Sequence, residues 1–363
     1  MNSVLLFIDH FGSGGAQRQI VLIANGLSQR GIDVHLVNYY PHLNHYRSNI
    51  YNSVKIHDFS KKGKVGLSVI IKLRKLLKTQ SFKSALVFLD TPALYLEIAN
   101  LLLWNKISIV YSERSSLKLR PNGFFSFLKR NLHRFCGHIT SNSISQTNIL
   151  KKMYKNVSYI PNIIPNEILD EANNIKFKFD SKNITVVSHT RPFKNFTCVA
   201  NALIIYWKKY NEFPPKIDWY GEIYPSVELD DSIILLKENG LEQHLVFHGA
   251  TRKVYDVLKN TYFLIHPSKF ESSANSVTEA LSTGTPVLLG DIDEHSMLLE
   301  CADVGYSFDV EDANSLAILL HKVSHMSIEH YEGLASQARE YANNNYREKA
   351  ILDSYISLLM EDC

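Results

Sequence analysis

The chain has 363 residues, too many for one ordinary hydrophobic core and enough for two domains. Apolar residues make up 45% and charged residues 21%, as in a globular protein. The most apolar stretch, residues 93–104, is interrupted by Glu97 and Asn100 and falls short of the ~20 residues a membrane span needs.

Four scattered cysteines without CxxC spacing argue against a disulfide framework or a common zinc module, and suit a reduced, cytoplasmic setting. The net charge of +3 conceals a division. Residues 1–165 hold 22 Lys/Arg against 6 Asp/Glu, and residues 166–363 hold 17 against 30. Such asymmetry points to two domains with different partners. No zinc finger or RNA-recognition signature accompanies the basic half, so an anionic membrane surface is expected there rather than nucleic acid.

Taken in order, Val4 to Asp9 reads as a strand and not a signal peptide, because no basic segment precedes it. Gly12 to Gly15 is a glycine-rich turn, Gln17 to Arg30 a helix and Asp33 to Tyr39 a strand. Ser60 to Lys78 is a basic amphipathic helix whose apolar face is expected to pack on its own sheet. Further strands are expected at 54–59, 84–89 and 107–111. Leu117 to His138 interleaves Phe124, Phe125 and Phe127 with Lys129, Arg130 and Arg134. That pattern fits either a packed surface helix or interfacial docking with the cations on an exposed face.

The second half restarts the rhythm, with strands at 184–188, 216–220, 245–247, 262–266 and 285–289 and helices between. Alternating strands and helices predict a parallel, doubly wound sheet, here twice. The expected division is a first domain over 1–165, a linker over 166–182 and a second domain over 183–342. A helix over 343–363 would carry Ile351, Tyr355, Leu358 and Leu359 at helical spacing.

The segment from His266 to Gly290 carries the most chemistry. Glu271 and Glu279 stand eight positions apart. Glu271 is expected in the loop at the carboxyl end of a strand and Glu279 about one turn into the next helix, which Asn275 and Ser276 can cap. Open α/β sheets bind ligands at that edge, and a helix start there suits a phosphate. Spacing alone also permits a solvated loop glutamate and an ordinary first-turn helix charge.

The pattern Pro267-Ser268, Glu271, Asn275, Glu279-Ala280-Leu281, Gly284, Pro286-Val287 resembles the E-x7-E signature of family 4 (group 1) glycosyltransferases of the GT-B fold. The resemblance implies two doubly wound Rossmann-like domains facing a cleft, with a last helix crossing back to the first. It implies a retaining, metal-independent enzyme that needs no cofactor. The substrates would be a nucleotide sugar, UDP above all, carrying a hexose or N-acetylhexosamine, and a lipid-linked or glycan acceptor. The setting would be surface-polysaccharide synthesis at the inner face of the cytoplasmic membrane.

In that likeness Glu271 contacts the donor sugar and Glu279 the ribose. Arg191 and Lys194, two cations on one short loop, offset charge on the leaving diphosphate. The commoner family arginine would stand at His189, so the Arg191 form departs from it. Gly221 and Gly249 resemble the family's nucleobase loops, with Arg252 beside them, and Gly14 and Gly15 its donor-facing glycine turn, where a missing Cβ admits a diphosphate. Glu113 and Arg114 resemble an acceptor-side S-E-R segment, and Asp90 stands where many members place a histidine.

Asp291-Ile292-Asp293 has the form of a D-x-D metal motif but falls in the loop this family uses beside the donor sugar, so no metal is expected. A dehydrogenase would need a completed G-x-G-x-x-G, which is missing. A non-catalytic GT-B-like subunit binding membrane or glycan is the alternative, supported by the altered His189/Arg191 spacing.

Overall fold

The computed structural model describes residues 3–63, 66–117, 123–172 and 182–361, together with the backbone but not the side chains of Phe124, Phe125 and Leu128. Most of the expected linker, 173–181, lies outside the described residues, as does part of the 117–138 segment. The chain divides into two compact units, Met1–Ile163 with Glu348–Cys363, and Ile164–Arg347.

Unit 1 runs β1 (Ser3–Phe7), α1 (Gly15–Gln29), β2 (Asp33–Asn38), β3 (Lys55–Asp58), α2 (Leu67–Thr79) and β4 (Ser84–Phe88). It continues with α3 (Asp90–Leu101), β5 (Ser108–Glu113), α4 (Phe124–Leu132), β6 (His138–Ser141), α5 (Ile144–Lys151) and β7 (Val157–Tyr159). Unit 2 holds α6 (Asn166–Ala172), β8 (Ile184–Val187), α7 (Phe196–Tyr210), β9 (Ile217–Tyr220), α8 (Val227–Glu238), β10 (Leu245–Gly249) and α9 (Val254–Leu258). After these come β11 (Phe263–His266), α10 (Asn275–Ser282), β12 (Val287–Gly290), α11 (Asp293–Cys301), β13 (Gly305–Phe308), α12 (Ala313–Ser324) and α13 (Ile328–Asn345). The last helix, α14 (Glu348–Met360), belongs to unit 1.

Both sheets are parallel throughout, in the orders β3-β2-β1-β4-β5-β6-β7 and β10-β9-β8-β11-β12-β13. Each is packed on both faces, as the period-2 reading requires. In β1, Val4 and Leu6 face a core shared with α1 and α14, while Leu5 and Phe7 face one shared with α2 and α3. In β11, Phe263 and Ile265 point to the core under α7 and α12, and Leu264 to that under α10 and α13. Val69, Ile70, Leu73 and Leu77 of α2 are buried, so this basic helix packs on its own sheet.

Two elements differ from the sequence reading. The expected linker begins with α6, whose Leu169 is buried in the unit 2 core and whose Ala172 is also buried. The tail is not one helix from Asn343: α13 ends at Asn345 and α14 starts at Glu348. Between them Tyr346 O accepts from Ile164 N at 3.1 Å, so the points where the chain enters and leaves unit 2 lie side by side.

Helix α14 buries Ile351, Leu352, Tyr355 and Leu359, each aliphatic contributing roughly 1.5–3 kcal/mol. It approaches α1 at Gly26, where an added Cβ would stand 2.3 Å from Leu352, so Gly26→Val would push the helix away. Among the described residues no helix is long and apolar enough to cross a membrane.

Candidate active site

The order of each sheet fixes where a ligand can sit. In unit 2 the connections reverse direction between β8 and β11, and the loops after these two strands frame the crevice that such a switch point opens. The loop after β8 turns through Pro192–Lys194 and reverses at Asn195, held in the left-handed region (φ 61°) while its side-chain amide donates to Val310 O at 2.8 Å. This geometry delivers Lys194. The loop after β11 delivers Glu271, and Lys269 N donates to Phe193 O at 3.0 Å, tying the two loops together.

Lys194 Nζ and Glu271 Oε1 form an ion pair, with the side chains only 14% and 15% exposed. At that burial neither charge is well hydrated, and each depends on the other or on a ligand. Beneath them lies a pair of histidines that sequence reasoning did not find. His266, the last residue of β11, has Nε2 3.5 Å from Glu271 Oε1. Its ring meets that of His295 edge-on, centroids 5.1 Å apart. Burial, reinforced by His295 and Lys194, holds the His266 pKa well below the ordinary histidine value. Burial likewise lowers that of His295, whose Nδ1 donates to Gly290 O at 2.7 Å. Two neutral rings therefore lie under one cation and one anion.

Ser188 Oγ, His266 Nδ1, Ser268 Oγ and His295 Nε2 are buried polar atoms without a partner, all around the carboxyl ends of β8, β11 and β12. Buried orphans of this kind carry a desolvation penalty that a polar ligand relieves.

The remaining donor-side candidates are spread along the same edge. Glu279 is buried on the fifth residue of α10. The cap of α10 is Ala274, with no side-chain cap bond, and Asn275 and Ser276 are its first two residues rather than its caps. Gly221 has no room for a side chain, since a Cβ would lie 1.9 Å from Ser188 O. Gly249 has open space but a φ of +76°, which a β-bulge in β10 requires. Arg252 is exposed beyond β10, the edge strand. Arg191 is exposed and stacks on Tyr224, its guanidinium carbon 4.7 Å from the ring centroid, so the ion pair incorporates Lys194 and not Arg191. Asp291 Oδ1 accepts from Val310 N at 3.1 Å, a local structural role for the first D-x-D carboxylate.

In unit 1 the switch point lies between β1 and β4. Gly14 and Gly15 begin α1 after β1. Gly14 is extended, not left-handed, and the Gln17 side chain covers it while donating to Asp9 Oδ1 at 3.0 Å. Beside it, Leu89 adopts φ 72°, ψ 150°, a region nearly reserved for glycine, storing roughly 1–3 kcal/mol immediately before Asp90.

A buried network holds Asp90 against this strain. Asp90 Oδ2 accepts from Lys129 Nζ at 2.5 Å and Oδ1 faces His133 Nε2 at 3.1 Å. His133 Nδ1 meets Glu97 Oε1 at 2.6 Å, and the Cys136 thiol donates to the same oxygen at 3.1 Å. Burial opposes a charge on His133, but Asp90 and Glu97 together outweigh it and raise its pKa. The ring stacks on Tyr111, whose hydroxyl donates to Glu113 Oε2 at 2.6 Å. Asp90 and Glu113 thus belong to one hydrogen-bonded and stacked cluster. Lys129 is turned inward to Asp90 instead of lying on an exposed basic face.

Arg114 has a different setting. Buried over Phe88, it donates to Ser112, Asn162 and Tyr355, fastening α14 to β5.

Residues 179–342 match the family model "Glycosyl transferases group 1" and residues 13–167 the model "Glycosyltransferase Family 4". An uncharacterized glycosyltransferase of Haemophilus influenzae is 25% identical over 294 residues, 79% of this chain and 80% of that protein. Among solved structures, HepE of Anabaena in complex with UDP and glucose is similar with a TM-score of 0.80 at 15% identity, covering 99% of this chain and 100% of that one. WaaG, a glycosyltransferase involved in lipopolysaccharide biosynthesis, is similar at 0.70 and 16% identity, over 99% and 100%. The two-unit architecture is that of the GT-B glycosyltransferases.

Proposed function

The chain belongs to the family 4 (group 1) glycosyltransferases, and we propose that it transfers a hexose or N-acetylhexosamine with retention from a UDP-sugar to a lipid-linked or glycan acceptor in surface-polysaccharide synthesis. The observation that carries this reading is the ion pair of Lys194 and Glu271, set over two neutral histidines at the switch point of the unit 2 sheet. Each group satisfies the other. A bound donor replaces that contact, its diphosphate taking Lys194 and its sugar hydroxyls taking Glu271. Neutral His266 and His295 add no competing charge.

The bond from the anomeric carbon to the phosphate oxygen breaks and one to the acceptor oxygen forms on the same face. The acceptor proton goes to the departing phosphate. Lys194 offsets the negative charge that builds on the diphosphate, and Glu271 supports the oxocarbenium-like sugar. Glu279 holds the ribose, with Arg191 and the start of α10 assisting the phosphates. Gly221, Gly249 and Arg252 line the base. On the acceptor side Asp90 and Glu113 engage a hydroxyl. The charge separation is met by protein groups, so no metal is required.

Screening UDP-, GDP- and ADP-sugars for thermal stabilisation tests the donor class, since a ligand at 100 times its Kd adds about 2.7 kcal/mol. Release of UDP from the stabilising donor with a lipid extract then tests transfer. Stabilisation by GDP- or ADP-sugars alone would replace the donor assignment, and binding without turnover would favour a non-catalytic subunit.

A further inference from the structure

Glu212, His321 and His325 converge at the opposite edge of unit 2 from the ion pair. Glu212 follows α7, in the loop leading to the amino end of β9, while His321 and His325 stand one turn apart at the end of α12. Their ligand atoms all lie within 4.8 Å of one another. We propose that these three side chains bind a borderline divalent cation of the zinc class, with Glu212 and the two imidazoles as protein ligands and water completing the shell.

The distances carry the argument. His321 Nε2 is 3.4 Å from Glu212 Oε1, and His325 Nε2 is 3.9 Å from Glu212 Oε2. Both exceed the ordinary N–H···O length of about 2.9 Å. Two ligands each about 2.0–2.1 Å from a tetrahedral zinc stand about 3.4 Å apart, which the His321 pair matches and the 3.9 Å of the His325 pair exceeds by half an ångström.

The tautomer of His325 adds a second, independent reason. His325 Nδ1 faces His321 O at 2.9 Å, and a carbonyl only accepts, so Nδ1 carries the proton. Nε2, turned toward Glu212, is then the ring nitrogen that can take a metal.

Each ligand is also oriented from behind, as metal ligands are. The Tyr206 hydroxyl donates to Glu212 Oε1 at 2.8 Å. The His321 ring stacks on Tyr210 with centroids 3.8 Å apart and planes at 15°. The carboxyl end of α12 favours positive charge, and Lys182 Nζ already bonds Ser324 O there at 2.6 Å.

Two imidazoles and one carboxylate suit zinc, and disfavour magnesium or calcium. The other grouping of possible ligands, Glu97 with His133 and Cys136, differs in kind. Its atoms stand at 2.6 and 3.1 Å, hydrogen-bond lengths with protons between them.

The test uses the full chain, stripped with EDTA, returned to chelator-free buffer and titrated with zinc chloride by calorimetry. One saturable zinc per chain is expected. It should be lost in the His321→Ala/His325→Ala double variant, weakened about tenfold or more by Tyr206→Phe, and unchanged by Cys136→Ser. Zinc should raise the Tm of the wild type and leave that of the double variant where it stands. Circular dichroism in EDTA must show both equally folded, and Glu212→Gln provides a milder variant if the double one unfolds. Absence of saturable binding, binding that survives the double substitution, or binding lost with Cys136→Ser would each overturn the proposal.

Discussion

Changing Lys194 and Glu271 singly and together separates a working ion pair from a decorative one. The two side chains are largely shielded, and among the described residues Glu271 pairs with no cation besides Lys194, because the ring of His266 beside it is held neutral. If the diphosphate takes over Lys194, that contact is a charge-assisted hydrogen bond contributing roughly 1.5–3 kcal/mol. At 1.4 kcal/mol per tenfold, Lys194→Ala should weaken UDP binding by about 10- to 150-fold.

Glu271→Gln should behave in the opposite way. It removes the carboxylate that competes for Lys194 but keeps its shape, so UDP binds at least as tightly as in the wild type while sugar transfer falls by about 10²–10³-fold. The double variant decides the matter. In Lys194→Ala the shielded Glu271 carboxylate is left facing the phosphates, and neutralising it should recover affinity. UDP should bind the double variant more tightly than the single lysine variant, with a coupling above the roughly 0.5 kcal/mol that independent sites show. Calorimetry with UDP in EDTA measures all four corners. Additive effects, or a tenfold loss of UDP affinity in Glu271→Gln, would refute the exchange of partners.

Glu279→Ala should weaken UDP by roughly 1.5–3 kcal/mol without abolishing transfer at saturating donor, and unchanged affinity would remove it from the ribose. Transfer should persist in EDTA, whereas Asp291→Ala should cost about 1 kcal/mol of stability by removing the acceptor of the Val310 N–H; a strict Mg²⁺ requirement lost with Asp291 or Asp293 would make the D-x-D functional.

His133 on one side and His266 with His295 on the other predict local pH responses of opposite sign. The raised pKa of His133 gives its cluster stability that is full below about 6.5 and is lost as pH rises through the raised value. The lowered pKa values of His266 and His295 give the loops around them stability that is full above about 6.5 and is lost as pH falls. His35, His57 and His138 of unit 1 are lowered by burial and follow the second sign, so the response is read site by site. Hydrogen exchange at the amides around each site, from pH 5 to 9 (about two units either side of neutral), reads both signs; the same sign at both sites would contradict the assignment.

Anionic vesicles should retain the protein and release it as salt rises, each basic residue near the surface contributing about 1 kcal/mol within a Debye length of about 8 Å. Arg130→Glu with Arg134→Glu is the test, with exposed Phe127 and Phe135 changed to Ser as the apolar counterpart. Equal binding to neutral vesicles would remove the electrostatic account.

Two doubly wound sheets were legible because each strand is short, apolar and separated by a helical stretch from the next, a pattern that survives whatever the tertiary context. The position of Glu271 after β11 and of Glu279 one turn into α10 was legible for the same reason, since both are set by local strand–loop–helix order. What did not read locally was anything decided by three-dimensional neighbours. Leu169 looks like a linker residue until the unit 2 core covers it. Asn275 and Ser276 have the chemistry of caps, yet the cap position falls one residue earlier, at Ala274. Lys129 belongs by composition to a basic, aromatic-rich surface, and a carboxylate distant in sequence turns it inward.

The histidines make the point most sharply. His266 is the polar end of an apolar strand and His295 lies in the first turns of a helix, and neither position carries any motif. Their significance comes from adjacency, with the two rings edge-on, both neutral, under the Lys194–Glu271 ion pair. His133 is equally silent in sequence. Asp90 follows a residue strained at Leu89, and the ring of His133, from the segment after α4, bonds its Oδ1 while Lys129 takes Oδ2. Against its burial, Asp90 and Glu97 raise the pKa of that ring, so two carboxylates, one lysine and one imidazole hold one another in place. None of this is legible until the fold has brought positions 90, 97, 129 and 133 together.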